Sequence, residues 1–280
     1  MPTLKALLAQ GRERLAAAGV AAPALDARLL LQHVLQWEAS ALIAEGDSAA
    51  SAALQQHYLE LVERRAAREP VSKITGFREF YGRLFHVSAD VLDPRADSET
   101  LIELALHLGD GAPRRVLDLG TGSGVLLLTL LAERTGWRGV GVDLSHDALA
   151  IARQNASALG LHERFMFLHG NWFEGVSGSF DLIISNPPYI ESAVVPTLEP
   201  EVFRHDPLLA LDGGPDGLEA YRAIARGAAA QLAEGGHVLV EIGAGQAADV
   251  LGIFGCHGLV LAGERHDLSG TMRVLAFNRP

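Results

Sequence analysis

The sequence predicts an α/β protein: a doubly wound sheet, preceded by a small helical domain and joined to it by a β-hairpin. Three features of the 280-residue chain carry this expectation. From residue 115 onward, short apolar strand patterns alternate with helical ones, the mark of strands linked by crossover helices. The first 70 residues are rich in Ala and Leu and poor in β-branched residues, which favours helices. Between these parts, aromatic and β-branched residues flank a glycine, as in a hairpin. The length allows one large domain or two unequal ones. An apolar content of 49% with 20% charged residues excludes a disordered or collagen-like chain.

In the helical part, Ala27, Leu30, Leu31, Val34 and Leu35 keep the spacing of a buried helical stripe. A further helix over about 51–69 ends at Pro70 and carries Arg64, Arg65 and Arg68 near its C-terminus, where cations suit the helix dipole. These arginines read as a solvated helix end, with a docking surface for an acidic or RNA-bearing partner as the alternative. The helical domain is expected over 1–72. Residues 73–92, with Lys73-Ile74-Thr75-Gly76 and then Phe80-Tyr81-Gly82-Arg83-Leu84-Phe85-His86-Val87, read as the hairpin linker. Residues 93–280 form the sheet domain. Its strands are expected at 115–119, 139–143, 164–169, 180–185, 237–242, 258–262 and 273–277, and its helices at 124–134, 146–159, 217–232 and 246–254. The long segment 190–214, with Pro196, Pro200 and Pro207, reads as a lid over substrate.

Several function classes drop out. The longest apolar stretches, such as 125–132, fall well short of the roughly 20 residues of a membrane span. The start of the chain, interrupted by Gln10, Arg12 and Glu13, lacks a secretory pattern, so a cytoplasmic protein is expected. The single Cys256 can form neither an internal disulfide nor a Cys-rich metal site and reads as a core thiol. The histidines at 33, 57, 86, 107, 146, 162, 169, 205, 237, 257 and 266 are scattered without ligand spacing; they read as structural or surface residues, and no metal is expected. A Gly-x-Ser-x-Gly elbow and a Walker loop are absent, against hydrolase and phosphoryl-transfer chemistry. Net charge is −11, unevenly spread: residues 1–85 carry 10 Lys and Arg against 9 Asp and Glu, residues 86–280 carry 13 against 25. An acidic body of this kind repels phosphate backbones, so direct binding of duplex nucleic acid is not expected.

Three motifs carry chemistry. Val116-Leu117-Asp118-Leu119-Gly120-Thr121-Gly122-Ser123-Gly124 puts a carboxylate late in an apolar strand, then three glycines at alternate positions, then a helix. Such glycines let backbone approach a ligand closely at the strand ends where open α/β sheets bind. The gaps differ from the dinucleotide pattern, and Asp118 suits a cation or an amino-acid ammonium better than a pyrophosphate. About twenty residues on, Asp143 ends the next strand, where a ribose diol is commonly held; Gly170-Asn171-Trp172-Phe173 then offers an amide and an aromatic face for an adenine ring, although Trp172 reads equally as core. The third motif is Asn186-Pro187-Pro188-Tyr189, directly after a strand. Two prolines fix φ and remove two donors, which leaves a rigid arm that accepts hydrogen bonds and hardly donates them. The Asn186 side-chain oxygen and the Pro187 carbonyl suit the two hydrogens of a planar NH₂ group, with Tyr189 stacked on its face.

With these motifs the chain resembles the class I methyltransferases that use S-adenosyl-L-methionine, and within them the glutamine methyltransferases that modify the Gly-Gly-Gln motif of class 1 peptide-chain release factors. The resemblance also takes in Asp26-Ala27-Arg28-Leu29-Leu30, Ile74-Thr75-Gly76, Arg78-Glu79-Phe80-Tyr81-Gly82, Asp93-Pro94-Arg95-Ala96-Asp97-Ser98-Glu99 and 209–218. It implies a Rossmann-like methyltransferase sheet, a substrate-docking role for the helical domain, and a monomer acting on a release factor. It implies that Asp118, Gly120, Thr121, Gly122, Ser123 and Gly124 line the methionine end of the cofactor, Asp143 its ribose and Trp172 its adenine. Asn186 would touch both cofactor and glutamine, and Asn186, Pro187, Pro188 and Tyr189 form the catalytic group. Position 96 is Ala where the family usually has Pro, and position 171 is Asn where an acidic residue is common. Rival readings are glutamine methylation of a ribosomal protein, adenine amino-methylation on DNA, and a non-enzymatic cofactor-binding module.

Overall fold

The computed structural model describes residues 1–109, 111–112, 114–161 and 163–280; His162, expected to be structural or at the surface, lies outside them. The chain divides into two compact units, Met1–Phe77 with Glu199–His205, and Arg78–Leu198 with Asp206–Pro280.

The first unit is helical: Leu4–Ala17, Pro23–Leu35, Ala39–Ala44, Ala52–Ala66 and Val71–Thr75, with one helical turn, Pro200–Phe203, from later in the chain. Thr3 and Ser51 cap their helices by accepting backbone N–H groups. Leu7, Leu15, Ala27, Leu30, Leu31, Tyr58 and Val62 form its core, and the Tyr58 hydroxyl donates to the Ala27 carbonyl at 3.2 Å. Of the arginines at the end of the fourth helix, Arg64 is exposed as a solvated end would be, whereas Arg65 and Arg68 are not. Arg65 is buried and donates to Asp26 at 2.7 Å and to Glu201 at 3.0 Å; Arg68 donates to Glu201 at 2.7 Å, and Arg64 pairs with Glu69. The sequence pattern showed the cations but not Glu201, more than 130 residues away. Lys73-Ile74-Thr75 forms a helical turn rather than hairpin strand, because Pro70 opens it and Gly76, at φ 80°, closes it in the left-handed region.

The second unit begins one residue into a hairpin of β1 (Phe77–Phe80) and β2 (Arg83–His86), turned by Tyr81 and Gly82 at φ 50° and 70° as a primed turn requires. A seven-stranded sheet follows: β3 (Arg115–Leu119), β4 (Arg138–Asp143), β5 (Phe165–His169), β6 (Phe180–Ser185), β7 (Leu232–Glu241), β8 (Val260–His266) and β9 (Met272–Asn278). Their order is β5-β4-β3-β6-β7-β9-β8. β3 to β7 pair in parallel, whereas β9 runs antiparallel to both neighbours. The doubly wound sheet is therefore mixed, its last strands being joined to β7 through a return hairpin. Alternate residues point to opposite faces. Val116, Leu182, Ile184, Leu239 and Ala276 meet helices Glu99–Leu108, Val125–Glu133 and His146–Ala158 on one face; Leu117, Ile183, Val238, Val240 and Phe277 meet Glu219–Gln231 and Ala247–Gly255 on the other. Burial on both faces explains why these strands read as unbroken apolar runs.

β7 starts five residues earlier than the apolar pattern predicts, because a register shift lets Leu232 pair with Phe180 before His237 pairs with Leu182. Cys256 is exposed rather than in the core: it lies just beyond helix Ala247–Gly255, whose buried stripe is Val250 and Phe254. Segment 190–214 is not structureless. Ile190 and Asp212 form a bridge at its base, and Gly213 donates to the Ile190 carbonyl at 2.8 Å. Among the described residues, no helix is long and apolar enough to cross a membrane.

Gly139 on β4 lies against Leu127, and a Cβ there would collide with the Leu127 side chain. Gly139→Ala is expected to destabilise the protein by about 1–3 kcal/mol, and Leu127→Ala by about 2–5 kcal/mol. In urea unfolding the double variant should lose less than the sum, since the new methyl fills part of the space that Leu127 vacates. Additive losses would refute this contact.

Candidate active site

β3 pairs with β4 on one side and β6 on the other, and the chain leaves it in opposite directions, so the C-terminal ends of β3, β4 and β6 open onto a common crevice. A cavity lies there within the second unit. Its wall includes Gly120, Thr121, Gly122 and Ser123 after β3, Asp143, Leu144 and Ser145 after β4, Gly170, Asn171 and Trp172 after β5, and Asn186 and Pro188 after β6. Asp90, Leu92, Arg95, Ser98, Leu209 and Ala210 complete much of the rim.

The glycine loop is built for close approach. Gly120 and Gly122 hold φ of 72° and 55°; a Cβ at Gly122 would meet nothing within 4 Å, and one at Gly120 only the Trp172 ring at 4.0 Å. Side chains there would project into open space beside the cavity, so glycine leaves room for a ligand against bare backbone. Gly120 and Thr121 donate to the Val142 carbonyl, both at 2.9 Å, which fastens the loop to β4. Gly124, expected on the cofactor, is instead a packing residue: a Cβ there would press on Leu128 at 2.9 Å and Ala152 at 3.2 Å.

Asp118 also lies beneath the loop and not on the cavity wall. It is fully buried, and its Oδ2 accepts the Thr121 hydroxyl at 2.6 Å. Burial is the main cause that pushes its carboxyl up to about 7; the Thr121 hydrogen bond opposes that shift, and nearby Asp143 adds to it. Its strand position was legible, but its depth was not, because a strand end can turn a side chain to the crevice or under it. Asp143 does reach the wall. Its Oδ2 accepts from the Gly122 N–H at 2.8 Å and its Oδ1 from the Ser145 N–H at 2.9 Å, while Ser145 itself caps the next helix. Each carboxylate oxygen keeps lone-pair capacity for a further donor.

Trp172, with φ 53°, both stands on the cavity wall and packs against the core. Asn171 is on the wall too, whereas Ala96 is exposed and off it. In the Asn-Pro-Pro-Tyr group, Asn186 and Pro188 line the cavity; Pro187 is buried, and Tyr189 packs against the second core layer, off the wall. Gln246 pins this turn by donating to the Tyr189 carbonyl at 2.9 Å and accepting from the Gly243 N–H at 2.9 Å. Burial pushes the Tyr189 hydroxyl up to about 12, so it stays protonated. Asn186 Nδ2 donates to Ser98 Oγ at 3.2 Å, and Ser98 Oγ donates to Glu241 Oε2 at 2.5 Å. Ser98 and Glu241 were not foreseen as site residues. The signal for Glu241 was present: like Asp118 and Asp143 it is a carboxylate ending an apolar run, Val238-Leu239-Val240.

Residues 6–76 match the PrmC N-terminal domain, and residues 88–205 match the methyltransferase small domain. The chain is 48% identical to the release factor glutamine methyltransferase of Rhodospirillum rubrum over 273 residues, 98% of this chain and 84% of that protein. It is 45% identical to the release factor glutamine methyltransferase of Agrobacterium fabrum, over 99% of this chain and 98% of that one. Among solved structures, a methyltransferase from Pyrococcus furiosus covers 70% of this chain and 89% of its own, with a TM-score of 0.54 and 18% identity, a likeness of fold.

Asp118 provides a test independent of any ligand. A carboxyl held near 7 in the folded protein and near 3.8 when free binds its proton more tightly when folded. Stability contributed by this group therefore falls as pH rises from about 4 to about 7. Asp118→Asn should make the decline of unfolding free energy over that interval shallower by up to one proton, read from urea melts at several pH values. An unchanged slope would show that Asp118 is ionised throughout.

Proposed function

The chain belongs to the release factor glutamine methyltransferase family, and we propose that it transfers a methyl group from S-adenosyl-L-methionine to the side-chain amide nitrogen of the glutamine in the Gly-Gly-Gln motif of class 1 peptide-chain release factors. The observation that carries this reading is the adjacency, on one cavity wall, of a bare-backbone glycine loop and an asparagine whose oxygen has no partner among the described residues.

The residues fit the cofactor. Open space above Gly120 and Gly122 accommodates its amino-acid end, Asp143 accepts ribose hydroxyls, and Trp172 offers a face to adenine. Asp118 acts from below by fixing Thr121, and Gly124 by seating the loop on its helix. When bound, S-adenosyl-L-methionine supplies a methyl group on a cationic sulfur. Asn186 Oδ1 accepts one N–H of the substrate glutamine and the Pro187 carbonyl accepts the other, which holds the amide plane and turns the nitrogen lone pair toward the methyl carbon. Pro188 keeps the turn rigid. Tyr189, neutral and anchored through its carbonyl by Gln246, supports the turn from behind rather than stacking from the cavity wall.

Amide nitrogen is a poor nucleophile, because its lone pair is delocalised into the carbonyl. Orientation is what the enzyme supplies, and it can account for about 7–11 kcal/mol of a barrier. The surplus proton leaves once the nitrogen has become cationic, so no strong base is required. The helical unit is the docking element for the release factor.

Two variants test the roles. Asn186→Ala should lower single-turnover methylation of a folded release factor about a hundredfold to a thousandfold, with a much smaller effect on cofactor affinity. A near-normal rate would remove Asn186 from catalysis. Asp143→Ala should weaken S-adenosyl-L-methionine binding about tenfold to a hundredfold in calorimetry, the worth of a charged hydrogen bond. Unchanged affinity in the folded variant would take Asp143 out of the ribose site.

A further inference from the structure

We infer that Glu241 is a positioning residue that acts through Ser98 to hold the Asn186 amide in one of its two orientations, oxygen toward the substrate; this rests on the role of Asn186 given above. Glu241 ends β7 between the fully buried Val240 and Ile242 and is itself 2% exposed. A carboxylate there is costly to bury, and a neutral side chain would pack more cheaply. Its Oε2 accepts a hydrogen bond from the Ser98 hydroxyl at 2.5 Å. Ser98 Oγ can then only accept, and it accepts from Asn186 Nδ2 at 3.2 Å.

An asparagine amide has a donor end and an acceptor end of nearly equal size, so shape alone does not choose between them. A hydrogen-bond chain that ends in an anion does choose. It has no proton to offer Oδ1 and so admits only the NH₂ end, which leaves Oδ1 without a partner among the described residues. The same carboxylate also interacts directly with the Asn186 side chain.

Burial works most strongly against a charge on Glu241, the Ser98 hydrogen bond works for it, and the charged groups that face it pull both ways. Arg273 on β9 favours the anion, Asp97 on the turn before helix Glu99–Leu108 opposes it, and Tyr189 stands nearby as a neutral phenol. Arg273 is itself held by Asp267 at 2.7 Å and Asp97 at 3.3 Å. The Tyr221 hydroxyl donates to the Glu241 main-chain carbonyl at 3.0 Å and steadies the backbone. Burial pushes the Glu241 carboxyl up to about 7. Once protonated, Glu241 can donate to Ser98, and the Ser98 proton is freed to meet Asn186 Oδ1. Both amide orientations are then satisfied and the selection is lost.

Two opposite trends follow over the same interval. Because the folded protein binds this proton more tightly than the unfolded chain, the stability contributed by Glu241 rises as pH falls from about 7 toward 4.5. Methyl transfer should fall over that interval. A purely structural carboxyl would not make activity and stability diverge.

The experiment is single-turnover methylation of a folded class 1 release factor by the full chain at saturating S-adenosyl-L-methionine, from pH 5.5 to 8.5. The wild type should show an acid limb with an apparent pKa near 7. Glu241→Gln should be about tenfold slower at pH 8, keep cofactor affinity within twofold, and lose the acid limb. Ser98→Ala should do the same and carries the test if Glu241→Gln does not fold; where both fold, the double variant should be no slower than the slower single one. A variant rate within twofold of wild type at pH 8, an acid limb that survives in the variant, or additive losses would overturn the inference. A wild-type chain that transfers no methyl group to the release factor overturns the functional reading instead.

Discussion

The arrangement of the site depends on one constraint, the parallel pairing of β3 on both edges. Register places Asp118 beside Gly141 of β4 and Ile184 of β6, so the three strands end at the same level. Because the chain winds outward from β3 in both directions, no crossover helix covers the gap above those ends. The glycine loop and the Asn-Pro-Pro-Tyr turn therefore face each other across a crevice that the sheet cannot close. The loop would not lie flat on β4 if Gly141 carried a side chain, since a Cβ there would press on Phe167 at 2.7 Å and on the Thr121 hydroxyl at 2.9 Å.

Each central strand buries both faces and carries a polar residue at or beside its C-terminal end: Asp118, Asp143, Asn186 just after β6, and Glu241. Their burial separates their roles. Asp143, at the wall, accepts a loop N–H with each oxygen and still faces the cavity. Asp118 and Glu241, out of water, are pushed toward neutrality and act on a neighbour's hydroxyl. In the low dielectric around them such contacts hold orientation more firmly than they would at the surface. The result is a preorganised pair, a loop without side chains and an amide with a fixed acceptor, which is what methylation of a weak nucleophile needs.

The strands and crossover helices of the second unit were legible in the sequence because double-sided burial writes unbroken apolar runs between helical stripes. The place of the Gly-rich loop, Asp143 and Asn186 on the cavity wall was legible because each lies at or just after a strand end. What stayed hidden involved distance or depth. Glu201 completes an ion cluster with Arg65 and Arg68 from far along the chain. Ser98 and Glu241 meet only once β7 is threaded beside β6, 143 residues apart in sequence. Tyr189 and Asp118 sit in the right motifs but behind the wall, since periodicity reports which residues are buried and not how a strand end bends. Cys256 was misread because apolar character alone does not say which side of a helix end faces solvent.

In this reading the crevice methylates a glutamine amide. Its most direct test is to incubate the full chain with S-adenosyl-L-methionine and a purified class 1 release factor, and to locate the added methyl group by tandem mass spectrometry. A single methyl group is expected on the side-chain nitrogen of the Gly-Gly-Gln glutamine. A methyl group found on another residue type, or a release factor left unmodified while a ribosomal protein or DNA adenine is methylated, would contradict it.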